Sequence, residues 1–169
     1  MLFLPIIFGW KTGDILYKFD IDSGYKALEY YSMTHTNKIN CYLHTLFMPF
    51  IYSGIVYFVS NFFYKKTKNK IKFQISVFLY YIFYYFTIDI YITLLFIKYY
   101  LFFHYLIYSF TINYETKYLK YSIYIFLFSL ILQEVLGHRM TNDLPSRFNV
   151  KTLICSLLHA KFFSIYHLL

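Results

Sequence analysis

The chain has 169 residues, of which 59% are hydrophobic, 26% aromatic and only 14% charged, and it contains two cysteines. Soluble domains are typically about 45–50% apolar and about 25% charged, so this composition excludes an ordinary soluble globular enzyme, a disordered chain and a disulfide scaffold. The net charge of +8 favours an anionic membrane surface over nucleic acid, because five lysines lie between long apolar runs, at positions 65, 66, 68, 70 and 72.

The first 24 residues are predicted to form an N-terminal extension. Residues 1–10 are apolar, but they carry neither a basic start nor a cleavage site of small residues, which disfavours a signal peptide. Residues 11–24 contain several charged residues and glycines and are predicted to form a loop or extension. Residues 25–169 are predicted to form a single helical membrane domain, which begins with a polar segment at the bilayer surface.

The apolar runs predict an all-α, polytopic membrane protein with about four to five transmembrane helices. Residues 43–63 contain no charged side chain and are long enough to cross a hydrocarbon core once. Residues 73–112 would be roughly 60 Å long as one helix, about twice a bilayer, so we expect two crossings with a break near residues 89–98. Residues 121–136 predict a fourth crossing. Residues 153–169 are predicted either to cross or to lie in the interface.

These crossings would place residues 26–40 and 139–151 on the same side of the membrane. The lysine-rich loop at 65–72 and the polar segment at 113–120 would lie on the other side. The loops on that other side carry seven lysines, which favours their facing the cytosol by the positive-inside rule.

Three histidines lie at the predicted membrane entrances on the shared side: His35, His44 and His138. Ionisable side chains at membrane depth are costly and usually serve a function, and neutral imidazole is the commonest metal ligand. We therefore predict that the three imidazoles hold one divalent metal ion. Imidazole suits iron, zinc and copper alike, so the ligand type does not fix the metal. The alternative is that each histidine is only a polar residue at the headgroup level.

Three further side chains bear on this site. Glu134 lies four residues before His138, on the same face of a helix, and is predicted to be a carboxylate ligand or an acceptor that orients the His138 ring. His159 would be a fourth ligand only if the last apolar segment folds back toward the other histidines. His104 lies in the middle of a span, where we expect a hydrogen bond within the interior.

Two short segments carry a recognisable pattern of residues. The first is H-T-N-K-I-N-C-Y-L-H at residues 35–44, followed by Pro49. The second is Q-E-V-L-G-H at residues 133–138, followed by Pro145. In this order and spacing they resemble the Mpo1-like family of small endoplasmic-reticulum membrane proteins. The resemblance runs from about residue 30 to the C-terminus and implies a helical integral membrane protein of the endoplasmic reticulum.

The resemblance implies an iron(II)-dependent dioxygenase of fatty-acid α-oxidation. Such enzymes convert a long-chain 2-hydroxy fatty acid from sphingoid-base breakdown, with dioxygen, into carbon dioxide and a fatty acid one carbon shorter, without 2-oxoglutarate. It implies that His35, His44 and His138 bind Fe²⁺, at the membrane depth where the carboxylate of such a substrate would lie. Asn40 is expected to hydrogen-bond at the site or to cap the first span. Arg139 is expected to pair with the substrate carboxylate or to extend to the lipid headgroups.

One position departs from the family pattern. Members often carry a glutamate four residues after the Gly-His histidine, where this chain has Asn142 followed by Asp143. If that carboxylate is essential, Asp143 has to replace it. The alternative hypothesis is therefore a non-catalytic integral membrane scaffold or lipid-binding protein descended from the family. A channel or transporter is disfavoured, because the central apolar runs carry only Asp89, Lys98 and His104.

Overall fold

A computed structural model of the chain describes residues 3–19, 25–114, 116–143 and 150–166. This described part is helical and contains no strand. Its elements are α1 (Phe3–Lys18), α2 (Tyr25–Thr34), α3 (Lys38–Phe63), α4 (Thr67–Phe86), α5 (Ile90–Tyr114), α6 (Leu119–Leu132), a π-helical segment that continues α6 (Gln133–Arg139), and α7 (Val150–Tyr166). Residues 20–24, Pro145 and residues 167–169, which carry parts of the sequence predictions, lie outside the described residues.

Three of the described helices are long and apolar enough to cross a membrane: α3, α5, and α6 together with its π-helical continuation. The predicted all-α membrane architecture is thereby confirmed. Helix α4 has 20 residues but carries three lysines among its first six, and α7 has 17 residues. The predicted number of about four to five crossings therefore stays a prediction for these two helices.

The break predicted within residues 73–112 lies at residues 87–89, between α4 and α5. Asp89 explains why the break lies at this point in the chain. The Oδ1 atom of Asp89 accepts a hydrogen bond from the backbone N–H of Ile92 (3.0 Å) at the start of α5. A carboxylate in this position satisfies an N–H group that has no partner within the helix. The two helices then run antiparallel, since Gln74 near the start of α4 contacts Thr111 near the end of α5.

The prediction of a loop for residues 11–24 is wrong for residues 11–18, which belong to helix α1. This helix packs on α4 at Gly9, where a Cβ atom would come within 2.6 Å of the backbone oxygen of Tyr80. The Thr12 hydroxyl is hydrogen-bonded to the Tyr80 hydroxyl (3.0 Å). The charged residues of α1 lie on its exposed side, with Lys11 and Asp14 paired one turn apart (3.2 Å), so they do not interrupt the helix.

Many of the aromatic residues pack in the core between α3, α4, α5 and α7. Phe96 and Tyr100 are fully buried, and their rings stack with centroids 4.7 Å apart. His104 lies in the same core, with its Nδ1 3.4 Å from the Tyr52 hydroxyl. The expectation that His104 forms a hydrogen bond in the interior is confirmed. This core stabilises the bundle. The polar clusters described below lie at the two ends of α3.

Candidate metal centre

Two separate parts of the chain supply the predicted histidines. His35 lies in the short connection between α2 and α3, His44 lies within the first turns of α3, and His138 lies in the π-helical segment. Helix α3 begins at Asn37, whose side chain accepts a hydrogen bond from the backbone N–H of Ile39 (2.8 Å). This cap fixes the direction of α3 and so the position of His44 relative to His35. The capping role expected for Asn40 belongs to Asn37.

The three imidazoles, which we name the histidine cluster, lie side by side. Their candidate ligand nitrogens are all within 4.8 Å of one another. The Nε2 atoms of His35 and His44 are 3.0 Å apart, and the His138 ring centroid lies 4.8 Å from that of His35 and 5.3 Å from that of His44. All three side chains are at most 4% exposed. The two histidine segments therefore meet on one side of the bundle, as the predicted topology requires.

Several polar atoms in this region are buried without a hydrogen-bond partner in the described part of the chain. They are both ring nitrogens of His138, the Oδ1 atom of Asn40 and the Oε1 atom of Gln133. A buried polar group without a partner costs about 1–3 kcal/mol, and nearly all such groups in proteins are satisfied by protein, water or an ion. Four of the seven such atoms found in the described residues lie here, so the three imidazoles could hold a metal ion.

The π-helical segment determines which side chains face the cluster. In a π-helix the hydrogen bonds run from i to i+5, so residues five apart replace residues four apart on one face. Gln133 and His138 are accordingly both buried, whereas Glu134 is half-buried and makes no hydrogen bond within the described residues. The Gln133 side chain is hydrogen-bonded to His44 Nδ1. Gln133 thus orients His44, whereas the role predicted for Glu134, as a metal ligand or as the acceptor that orients His138, stays a prediction.

Gly137 allows the π-helical segment to approach α3 closely. A Cβ atom at this position would overlap the Asn40 side-chain oxygen and lie 3.7 Å from His44 Nε2. Any larger residue would push the segment away from α3. The glycine of the Gly-His pair is therefore a packing requirement of the cluster.

Asp143, which follows the π-helical segment, connects this part of the chain to the start of α3 through hydrogen bonds. Its carboxylate accepts hydrogen bonds from the backbone N–H (3.3 Å) and hydroxyl (2.5 Å) of Thr36, the N–H of Asn37 (3.2 Å) and the Nδ2 of Asn40 (2.8 Å). Asn142 turns the chain with a φ of 59°, a region that asparagine tolerates. Burial raises the pKa of the Asp143 carboxyl, but these hydrogen bonds outweigh it and lower the pKa below its ordinary value. The sequence shows Asp143 only as a departure from the family pattern.

The remaining predicted residues lie around the cluster rather than in it. Helix α7 folds back onto the site, but the ring it brings to His35 is that of Phe163, with centroids 5.0 Å apart. His159 is instead buried against the Tyr84 hydroxyl, at 2.5 Å, and is not part of the cluster. Arg139 is exposed beside His138. Phe163 therefore covers one side of the site, and Arg139 is open to ligands that approach from outside.

No protein-family model, no curated protein and no solved structure matches this chain. The resemblance to the Mpo1-like family and the properties it implies therefore stay predictions. A functional proposal has to start from the geometry of the histidine cluster.

Proposed function

We propose that the chain is an iron(II)-dependent dioxygenase of fatty-acid α-oxidation in the endoplasmic-reticulum membrane. The reaction converts a long-chain 2-hydroxy fatty acid and dioxygen into a fatty acid one carbon shorter, carbon dioxide and water. Atoms and electrons balance without another reductant, because the substrate supplies all four electrons that reduce dioxygen. The observation that carries the proposal is the buried cluster of three imidazoles, in which both nitrogens of His138 have no partner among the described residues.

The donor set fits a divalent transition metal. His35, His44 and His138 would hold the ion, since neutral imidazole binds iron, zinc and copper well. The resemblance to the dioxygenase family favours iron within that set. When bound, Fe²⁺ supplies the electrons that activate dioxygen. The burial of the three rings and the covering ring of Phe163 would keep bulk water from the metal.

Gln133 would orient His44 for metal binding. The oxygen and nitrogen ends of its amide are alike in shape, so the same side chain can present either end to His44 Nδ1. With Oε1 facing Nδ1–H, the amide oxygen gains a partner and His44 Nε2 stays unprotonated, as a metal ligand must be. Asn40, held by Asp143 through its Nδ2, would keep its Oδ1 at the edge of the same site.

The membrane would deliver the substrate at the correct depth. A long-chain 2-hydroxy acid keeps its tail in the hydrocarbon region and its carboxylate near the interface. The exposed guanidinium of Arg139, next to His138 in the chain, would make a paired set of hydrogen bonds to that carboxylate. Glu134, half-buried on the same segment, would hold or release the proton of the 2-hydroxyl group.

The first experiment measures metal in the full chain purified in detergent after ferrous loading. We expect iron near one per chain in the wild type and its loss in His35→Ala and His138→Ala. The matched control is His159→Gln, which alters a buried histidine outside the cluster and should retain iron. Absence of bound iron from folded wild-type protein at every ferrous concentration would remove the enzyme proposal.

The second experiment tests the reaction itself. Membranes containing the protein are incubated with a 2-hydroxy fatty acid labelled in its chain, and products are separated by chain length. We expect the labelled acid one carbon shorter, dependent on dioxygen and absent with His138→Ala. An iron-loaded protein that forms no shortened acid from long-chain 2-hydroxy acids would contradict the assigned reaction while leaving the metal site in place.

One observation favours the second candidate, a non-catalytic membrane scaffold or lipid-binding protein. The Asp143 carboxylate is used in hydrogen bonds to Thr36, Asn37 and Asn40 and does not join the imidazoles. If the reaction needs a carboxylate ligand close to position 142, this chain would have lost it. The two candidates differ in the metal measurement, since only the enzyme requires stoichiometric iron.

A further inference from the structure

A long groove, which we name the α1–α4 groove, separates α1 from α4. Its volume of 1110 Å³ slightly exceeds the range of about 300–1,000 Å³ typical of small-molecule sites. Phe8 and Ile15 line it on α1, and Phe73 and Val77 line it on α4. These side chains would contact an acyl chain by van der Waals packing, the interaction that drives apolar association within a membrane.

One end of the groove is polar and positively charged. Asn69 and Lys72 line this end, and both are exposed. Lys68 lies one helical turn before Lys72 on the same face. Two more exposed lysines, at positions 65 and 66, immediately precede α4. The groove thus combines an apolar channel with a cationic entrance.

Within the described residues, the two helices that form the groove offer no unpaired acidic side chain at this entrance. Helix α4 contains no aspartate or glutamate, and the single acidic residue of α1, Asp14, is paired with Lys11. Within the described residues, none of the exposed lysines at positions 65, 66, 68 and 72 forms an ion pair. Among the described residues, the exposed lysines are therefore the charged groups that an anionic ligand would meet at this entrance.

The groove is remote from the histidine cluster. Its polar end includes Tyr64, the residue that follows α3, whereas His44 lies near the start of α3. The intervening helix is roughly 30 Å long at 1.5 Å per residue, close to the thickness of a bilayer core. A ligand at the cationic entrance would thus belong to the opposite face of the membrane, and its binding is independent of the proposed enzyme activity.

We propose that the α1–α4 groove binds an anionic phospholipid. One acyl chain would lie between Phe8 and Val77, and the phosphate would lie at Lys72 with the Asn69 amide donating a hydrogen bond to it. The lysine charges select an anionic headgroup over the zwitterionic headgroup of phosphatidylcholine, because the latter carries its own compensating cation. The proposal does not depend on a metal.

The test uses fluorescence quenching by brominated lipids. Trp10 is the single tryptophan of the chain, so Trp10→Phe with Phe8→Trp places one fluorophore in the groove. The full chain is reconstituted in vesicles of phosphatidylcholine in which either phosphatidylcholine or phosphatidylglycerol is brominated on one acyl chain, at equal total composition. We expect the brominated phosphatidylglycerol to quench the Phe8→Trp fluorophore more strongly than the brominated phosphatidylcholine. The difference should correspond to a binding preference of about fivefold or more for phosphatidylglycerol. Lys68→Gln with Lys72→Gln should abolish that preference.

Two controls separate the groove from general surface charge. Lys117→Gln with Lys120→Gln removes the same charge from the other lysine-bearing loop and should leave the preference intact. Phe128→Trp in the Trp10→Phe background places the fluorophore on an exposed face of α6 and should be quenched equally by both lipids. Quenching of the Phe128→Trp protein also shows that the reconstituted protein is inserted in the bilayer.

Three results would overturn the proposal. Equal quenching by both lipids at the Phe8→Trp site would mean that the groove does not select an anionic headgroup. Loss of the preference in the Lys117→Gln/Lys120→Gln protein would mean that it comes from the overall surface potential. Stronger quenching by a brominated free fatty acid than by brominated phosphatidylglycerol would mean that the occupant is a fatty acid.

Discussion

Two buried polar clusters lie at opposite ends of α3 and differ in how their hydrogen bonds are satisfied. At the end of α3, the Gln74 amide donates to the Ser60 hydroxyl (2.9 Å) and to the Thr111 hydroxyl (2.7 Å). We name these three residues the amide–hydroxyl cluster. At the start of α3, His138 of the histidine cluster makes no hydrogen bond within the described residues.

The two clusters differ in how far the protein itself satisfies their polar atoms. The amide–hydroxyl cluster joins α3, α4 and α5 through its own hydrogen bonds, and among its side-chain atoms only the Oε1 atom of Gln74 lacks a partner within the described residues. The histidine cluster brings three imidazoles together and leaves nitrogens unpaired, which weakens the fold unless something binds there. A buried imidazole with both nitrogens unpaired is therefore a stronger indication of a ligand than a single unpaired amide oxygen on a side chain that its own hydrogen bonds already hold in place.

The largest expected effect is on metal binding. We expect His138→Ala to lower iron affinity by at least about 100-fold. Loss of a residue that only hydrogen-bonds to a metal ligand already costs about 10–100-fold, and loss of a ligand should cost more. The free energy of unfolding of the metal-free protein should remain nearly unchanged. Gln74→Leu should show the reverse, with iron retained and the free energy of unfolding in mixed micelles reduced by about 1–3 kcal/mol. Loss of iron in both variants, or in neither, would contradict the claim that only the histidine cluster binds the metal.

Gln133 is expected to act through His44. Gln133→Leu should lower iron affinity by about 10–100-fold, the range typical of residues that orient a metal ligand. Gln133→Glu keeps an acceptor oxygen toward His44 Nδ1 and should restore most of that affinity. The measurement is competition for iron with a chelator of known affinity. Unchanged affinity in Gln133→Leu would show that the contact with His44 is packing only.

The glycines test close packing at the histidine cluster. Gly137→Ala would overlap Asn40 and is expected to cost about 1–3 kcal/mol in stability together with most of the iron. Gly54→Ala would meet the Ser122 backbone oxygen at 2.8 Å and should lower stability without affecting iron. Gly13→Ala meets nothing within 4 Å and should be neutral or slightly stabilising. Thermal unfolding with parallel iron analysis distinguishes the three.

The smallest expected effect is that of Asp143→Asn, about 1–2 kcal/mol near neutral pH. The hydrogen bonds at Asp143 lower its pKa in the folded state, so its charged form stabilises the protein above the ordinary aspartate pKa. That contribution is lost as the pH falls through the lowered pKa. The difference in unfolding free energy between wild type and Asp143→Asn should therefore shrink below about pH 4.

The sequence predicted the three helices that are long and apolar enough to cross a membrane, because continuous apolar runs are visible in the composition alone. The break between α4 and α5 and the shared side of His44 and His138 both follow from counting such runs against bilayer thickness. Helix α1 was predicted incorrectly, because the charged and glycine residues at 11–18 are also compatible with an exposed helix face. Patterning at the surface of a membrane bundle does not distinguish a loop from a packed amphipathic helix.

Two features of the candidate site could not be predicted from spacing. The choice of Glu134 assumed an α-helix, and the π-helical segment gives the inward position to Gln133 instead. No residue pattern in the segment predicts the π-helical turn. The carboxylate of Asp143 reaches the start of α3 only because Asn142 adopts a positive φ, which is a property of the folded chain.

The order of the histidines along the chain has a consequence for biosynthesis. His44 is made before α3 has entered the bilayer, whereas His138 follows α6. At the usual speed of translation the ribosome reaches the third ring roughly 5–20 s after the second. A nascent chain that stalls before α6 is inserted would carry His35 and His44 without His138, so the histidine cluster could not form. Binding of a metal by all three rings would thus follow the insertion of α6 and its π-helical continuation.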